Sequence, residues 1–323
     1  MIPTQPLTDC CSCGNSELVE LFELPEFPHI GVFLEEIDDS DKYPKIDNSL
    51  NYCESCGHIQ LGATVDPGYL YTAEFQHQTS QSASATQANE FLFNFTKEVF
   101  SARKFPETVV EIGCNDTFLL KRFVDRGSLS QVGVDPILAG KEEEFLEGVD
   151  KAYANKFQVI GDFVENIDFA EELGSSPDLF ISNFVFEHIR DPLAVTRAII
   201  QQMSDESVGI IGVPGAEFMI YNSRFDQLSH QHYQQFNIQS FTRMIVRAGG
   251  EVLASSVNFT NWGQIIVAFR RASSGLPQEE IHAPYSLENV LQSKKMFDNN
   301  MRLLQERLSL FKGKAIVGFG AAQ

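Results

Sequence analysis

Two C-x2-C pairs, Cys10/Cys13 and Cys53/Cys56, precede a run reading Val109-Val110-Glu111-Ile112-Gly113-Cys114-Asn115-Asp116. Two thiol pairs of equal spacing are the donor set of a tetrahedral zinc site. Each pair is followed by a glycine, Gly14 or Gly57, which suits a turn that aims two sulfurs at one ion. Four thiolates complete the shell and leave no position for water or substrate, so this structural Zn²⁺ is expected to hold the fold and do no chemistry. The competing reading is four buried, unligated thiols. Cys11 and Cys114 stand outside the set.

The run after Val109 reads as a strand entering a glycine turn. In an open α/β sheet the ligand sits at the carboxyl ends of the strands, and Gly113 allows close backbone approach there. Asp135, ending the next expected strand, lies 22 positions after Gly113, the interval at which a carboxylate meets ribose hydroxyls. The G-x-G-x-x-G pattern of dinucleotide sites is absent. Asp116 at the helix start opposes a pyrophosphate but tolerates a cationic sulfonium. The residues therefore favour S-adenosylmethionine over a dinucleotide.

Two further segments carry histidines. The first is Asp178-Leu179-Phe180-Ile181-Ser182-Asn183-Phe184-Val185-Phe186-Glu187-His188-Ile189-Arg190-Asp191-Pro192, a buried strand running into a polar turn at the edge where active sites of this architecture lie. His188 is either catalytic or, with Glu187, a capping and packing residue. The second is Phe225-Asp226-Gln227-Leu228-Ser229-His230-Gln231-His232-Tyr233. If extended, it points His230 and His232 to one side, where they could share a cavity. H-x-H can bind a metal, but no third ligand is evident nearby, and a surface loop is the plain alternative.

Alternating apolar strands and helical stretches over 108–270 predict a parallel sheet covered on both faces. The expected strands are Thr108–Ile112, Gln131–Val134, Lys156–Ile160, Leu179–Asn183, Val208–Val213, Gly250–Val257 and Trp262–Arg270, the last two as an antiparallel edge hairpin. Helical spacing marks 80–100 and about 286–310, and a strand is expected at Lys314–Val317. Residues 1–75, with Pro25, Pro28, Pro44 and Pro67, read as a loop-rich unit too small to stand without its zinc staple.

The 323 residues carry 44 acidic against 24 basic side chains, a formal charge of −20, which opposes a nucleic-acid role. The sequence has no apolar run long enough to span a bilayer and no signal-peptide start, so a cytoplasmic protein acting on a small molecule is expected.

These segments, in this order, resemble the S-adenosylmethionine-dependent sugar C-methyltransferases of the NDP-hexose 3-C-methyltransferase type. The resemblance rests on Cys10-x2-Cys13, Cys53-Glu54-Ser55-Cys56-Gly57-His58-Ile59-Gln60-Leu61, Glu111-Ile112-Gly113-Cys114-Asn115-Asp116, Glu187-His188-Ile189-x-Asp191-Pro192 and His230-x-His232. It covers nearly the whole chain. It implies an α/β fold: a zinc-binding domain over 1–75, a class I (Rossmann-like) methyltransferase core over 76–272, and from 273 to 323 the start of a C-terminal Rossmann-like lobe. That lobe opens at Lys314-Ala315-Ile316-Val317-Gly318-Phe319-Gly320 and is expected to be truncated at Gln323.

The resemblance further implies that Glu111, Gly113 and Asn115 form the cofactor loop, that Asp135 holds the ribose, and that Asn183 and Phe184 border the cofactor. His188 then faces substrate and His232 matches the catalytic base of a Tyr-His-Glu-His motif. This chain departs from that motif: Ser229 replaces the tyrosine and Gln231 the glutamate, which leaves Ser229, His230, Gln231 and His232 as the catalytic segment. An aromatic Y-x-Y segment reads Phe75-Gln76-His77 here, and Thr117 stands where glycine is usual.

The implied reaction is methylation of the carbon α to the ketone of a nucleotide-linked 4-keto-6-deoxyhexose through an enolate, with an acid limb near pH 6.5 for an unperturbed histidine. The alternatives are an O- or N-methyltransferase of another metabolite and a non-catalytic zinc protein that binds cofactor or sugar nucleotide. A dehydrogenase ranks last.

Overall fold

The computed structural model describes residues 4–28, 45–70, 78–153, 155–273 and 284–315. Strands β1 (Thr4–Pro6), β2 (Leu18–Pro28), β3 (Lys45–Cys53), β4 (Ile59–Leu61) and β5 (Ala63–Val65) open the chain, followed by the short helix α1 (Pro67–Leu70). The N-terminal segment is thus built of strands where loops were expected. Pro25 and Pro28 misled that reading because both sit in β2, the edge strand of its sheet, where a missing N–H breaks no ladder. The register between β2 and β3 slips at this point, between Leu24 and Phe27, and Glu26 adopts φ 48°.

The core begins with α2 (Ala83–Val99) and continues β6 (Thr108–Ile112), α3 (Phe118–Arg126), β7 (Ser130–Val134), α4 (Glu142–Glu147), β8 (Gln158–Ile160) and α5 (Phe169–Leu173). Next come β9 (Leu179–Asn183), α6 (Pro192–Gln202), β10 (Val208–Val213), α7 (Ala216–Tyr221), β11 (Gln234–Gln235), α8 (Ile238–Arg247), β12 (Gly250–Asn258), β13 (Gln264–Arg271) and α9 (Leu287–Ser309). Three expected strands have the predicted bounds, and the strand expected from Lys156 starts at Gln158. Of the expected strand Lys314–Val317, the first two residues are not in a strand and the rest lie outside the described residues. The expected boundary at 75/76 also lies outside the described residues, and that at 272/273 falls just after β13, next to the undescribed 274–283.

Seven strands form one sheet in the order β12-β13-β10-β9-β6-β7-β8. β10, β9, β6, β7 and β8 run parallel, while β13 is antiparallel to both β10 and β12. Because side chains alternate, one face buries Val110, Phe180 and Ile211 beneath α6 and α8, and the other buries Val109, Leu179 and Ile210 beneath α2 and α3. The strand order reverses between β6 and β9, which opens a crevice at their carboxyl ends.

The second sheet, β11-β4-β3-β2, joins the zinc-ligand segments to the core. Its fourth strand comes from the far end of the sequence: Gln234 pairs with Gln60 and Gln235 with Ile59. Its apolar face packs Leu50, Tyr52, Ile59 and Leu61 against α7 and the start of α9. No helix among the described residues is long and apolar enough to cross a membrane.

Asn237 secures this junction. Its Oδ1 accepts from Ser240 N (2.7 Å) to cap α8, while its Nδ2 donates to Gly57 O (2.7 Å) in the second cysteine knuckle. It is fully buried. Asn237→Ala is expected to cost about 2–3 kcal/mol in urea unfolding, against about 1 kcal/mol for the exposed cap variant Ser286→Ala. Equal costs would show that the bond to Gly57 adds nothing.

Candidate active site and zinc site

The four knuckle sulfurs converge. Cys10 and Cys56 Sγ lie 3.6 Å apart, Cys13 and Cys53 Sγ 3.5 Å, and all four within 4.8 Å of one another. A zinc ion with about 2.3 Å bonds places tetrahedral sulfurs about 3.8 Å apart, so the donor set fits. Gly14 N donates to Cys10 O (2.7 Å) and Gly57 N to Cys53 O (2.8 Å), each glycine at positive φ, 73° and 69°. Cys11 takes no part among the thiols, its N–H bonding Gln60 Oε1 (2.9 Å), and Cys114 is buried behind the glycine turn.

At the crevice, Gly113 adopts φ 74° and a Cβ there would collide with Val185. Asn115 N–H donates to Asp135 Oδ2 (3.1 Å) and Ile137 N–H to Asp135 Oδ1 (3.1 Å), which ties the ends of β6 and β7 together. Asn115 Oδ1 accepts from Thr79 N (3.0 Å) and Asp116 Oδ2 from Ser80 N (2.8 Å), so the entry to α2 is latched on the same turn. Thr117, where the resemblance expects glycine, has φ 60°, a strained setting for a β-branched residue.

Burial pushes the Glu111 carboxyl well above its ordinary range, and Asp135 upward as well. Glu111 Oε2 and Asn183 Nδ2 are buried with no hydrogen-bond partner among the described residues. Phe184, with φ 56°, bonds Gly212 O through its N–H (2.9 Å). The six residues expected around a cofactor therefore converge on the carboxyl ends of β6, β7 and β9, and two orphaned polar atoms there match a polar ligand.

The histidines are arranged differently from the expectation. The chain turns at 229–232, with His232 N–H on Ser229 Oγ (3.2 Å), so i and i+2 do not share a side. His230 points into the second sheet, its Nε2–H donating to Phe27 O (3.0 Å) and its ring 4.5 Å from Phe27. This corrects the shared H-x-H cavity: the partner of His232 is His188, with ring centroids 4.8 Å apart at 80°. Gln231 turns its side chain to Leu70 O (3.4 Å), while its carbonyl accepts from His188 Nδ1–H (2.9 Å). That bond leaves His188 Nε2 as the basic nitrogen, 3.8 Å from Glu187 Oε1. Ligating atoms of Glu187, His188 and His232 all fall within 4.8 Å, so the third member the H-x-H pattern lacked comes from the other segment.

Burial pushes His232 down to about 4, although it keeps some accessible surface, as a group lining a cleft does. Burial raises the Glu187 carboxyl to about 8. At neutral pH the imidazole is thus unprotonated beside a protonated acid. Sequence reasoning passed over Gln60 and Gln234, both fully buried. Gln234 Oε1 accepts from His58 Nε2–H (2.9 Å), and its Nε2 donates to Ile189 O (3.2 Å) beside His188. For Gln60 the available signal was its place between Ile59 and Leu61, while the polar run around Gln234 carried none.

The reversed strand, the glycine turn and the acid ending β7 define a class I S-adenosylmethionine methyltransferase fold. Residues 84–255, just over half of the chain, match the family described as "Methyltransferase domain", and residues 10–71 match one described as "Putative zinc binding domain". The chain belongs to the methyltransferase domain family. It is 23% identical over 265 residues to the C-methyltransferase NovU of Streptomyces niveus, which covers 81% of this chain and 60% of that protein. It therefore spans less than two thirds of that relative's length. Among solved structures it is similar to magnesium protoporphyrin IX methyltransferase (ChlM) from Synechocystis PCC 6803 with bound SAH (13% identity, 61% of this chain, 89% of that one, TM-score 0.46). It is also similar to the mitomycin 7-O-methyltransferase MmcR (20% identity, 58% of this chain, 56% of that one, TM-score 0.44).

Metal analysis of protein purified without added zinc is expected to find about one zinc per chain, and Cys53→Ser to lose most of it. Metal-free protein with four titratable thiols would remove the site. Glu187 holds its proton in the folded state from the ordinary 4.5 to about 8, so its contribution is complete below 4.5 and is lost as pH rises through about 8. Glu187→Gln is expected to flatten this fall, worth up to about 4 kcal/mol, in urea unfolding between about pH 5 and about pH 8.

Proposed function

We propose that the protein uses S-adenosylmethionine to methylate the carbon α to the ketone of a nucleotide-linked 4-keto-6-deoxyhexose, a small-molecule reaction in the cytoplasm. The His188–His232 pair at the crevice carries this reading, and similarity to a C-methyltransferase supports the carbon acceptor. In it, Glu111, Gly113, Asn115, Asp135, Asn183 and Phe184 surround the cofactor, with Asp135 toward the ribose. The bound cofactor supplies an electrophilic methyl group whose sulfur departs as a neutral thioether.

His232, neutral at physiological pH, takes the α proton, and the electron pair of that C–H bond becomes the enolate that attacks the methyl carbon. His188, its tautomer set by the Gln231 carbonyl, orients His232 and faces the substrate. Ser229 bonds the His232 backbone, and His230 anchors the same turn, so both act by placing the base. The division into 1–75, 76–272 and 273–323 belongs to this proposal. A second reading, methylation of oxygen or nitrogen, draws on Gln231, whose neutral side chain turns to Leu70 and brings no carboxylate to His232.

Incubation of nucleotide 4-keto-6-deoxyhexoses with S-adenosylmethionine is expected to give a product heavier by one methylene, with the methyl on carbon by NMR. A methyl on oxygen or nitrogen selects the second reading, and cofactor binding without any product removes both. His232→Ala is expected to lower kcat by about 10²–10⁴. Protonation disables the base, so kcat/KM should fall as pH drops through about 4, not through 6.5. An acid limb near 6.5 would assign the base elsewhere.

A further inference from the structure

We infer that Gln264 is a positioning residue: with Asn258 and Thr260 it fixes the Asn183 carboxamide so that Nδ2 is offered as a hydrogen-bond donor to the carboxylate of the cofactor's amino-acid end. The inference rests on the S-adenosylmethionine reading above and assigns work to a buried polar relay that the proposed chemistry does not use.

The relay lies at the tip of the β12–β13 hairpin, where Asn258 pairs with Gln264 across the strands. Both are buried, Gln264 completely. A carboxamide by itself does not reveal which end donates, but here each end of the chain of bonds is a backbone group that cannot reverse its role. The Thr260 N–H can only donate, and it reaches Asn258 Oδ1 (3.3 Å), joined there by Thr260 Oγ1 (2.7 Å). Asn258 Nδ2 must then donate to Gln264 Oε1 (3.1 Å). Gln264 Nε2 donates to Asn183 Oδ1 (2.7 Å) and toward Ala88 O (3.4 Å), a carbonyl that can only accept. The polarity of Asn183 follows: its oxygen is used, and Nδ2 is left as a buried donor without a partner among the described residues.

Register tells what faces that donor. Glu111 on β6 lies opposite Ile181 on β9, so by the two-residue alternation Glu111 and Asn183 share one face of the sheet at the carboxyl ends flanking the switch point. Asn183 lies opposite Gly212 on β10, where a Cβ would collide with Asn183 Oδ1, so glycine clears the path to Gln264. Glu111 Oε2 is likewise unpaired. Adjacent strands thus present one open acceptor and one open donor, the complement of an α-ammonium and an α-carboxylate. A buried donor left unmet is costly, and a charge-assisted bond to a carboxylate relieves that cost.

The test is calorimetric binding by the full chain of two probes: S-adenosylhomocysteine, which carries the amino-acid end, and 5′-methylthioadenosine, which lacks it. Gln264→Met keeps the bulk but removes the donor that holds Asn183 Oδ1, so the carboxamide is free to turn and its Nδ2 is no longer fixed toward the crevice. Asn183→Asp removes the donor directly. Both variants are expected to bind S-adenosylhomocysteine about tenfold or more weakly and methylthioadenosine within about twofold of the unsubstituted protein. Unchanged S-adenosylhomocysteine binding in Gln264→Met overturns the positioning role. Equal weakening of both probes overturns it too, since that marks general damage to the crevice. If the unsubstituted protein binds neither probe, the cofactor reading falls and the relay's ligand with it.

Discussion

The constraint on which this structure depends is a two-residue strand. Gln234 and Gln235 leave the methyltransferase core to complete the sheet that carries the cysteine knuckles, pairing with Gln60 and Ile59. Without them β4 would expose a row of unpaired backbone groups inside the protein, which no fold tolerates. Because His232 stands two residues before this strand, its position is set by the sheet. Gln234 extends the same tie sideways, reaching His58 with its oxygen and the carbonyl after His188 with its nitrogen. The cysteine cluster and the histidine pair are therefore joined through a few buried hydrogen bonds.

The chain carries a charge of −20, yet its buried acids are pushed toward their neutral forms. Burial pushes Glu111, Asp135, Glu187 and Glu217 all upward and His232 downward, so each group is drawn toward its neutral form. Such an interior suits proton transfer between weakly charged groups, with the acidic excess left to the solvated surface. Lost hydration is the first cause of each upward shift, so a cation bound beside one of these carboxyls would favour its ionised form.

Much of the architecture was legible because it is local. The runs Val109–Val110, Leu179–Ile181 and Val208–Val213 carry no polar side chain, as strands buried on both faces should, and helices between them force parallel pairing. The cysteine pairs declared themselves by spacing, since two sulfurs separated by two residues and a glycine turn can reach one ion whatever surrounds them. The N-terminal strands were not legible. Pro25 and Pro28 argue against a strand unless it is known to lie at an edge, and edge position is a property of the assembled sheet.

By itself, then, the sequence determined the class of fold and the two cysteine pairs that the structure brings together, since both follow from periodicity or from spacings of a few residues. Only the tertiary structure decided which histidines meet. His230 and His232 are neighbours in sequence, but a turn sends one to Phe27 and the other to His188, 44 residues away. It likewise decided that Gln60, Gln234 and Gln264 are buried and which way their amides point. A carboxamide takes its polarity from partners that folding brings from distant segments, and no spacing along the chain encodes it.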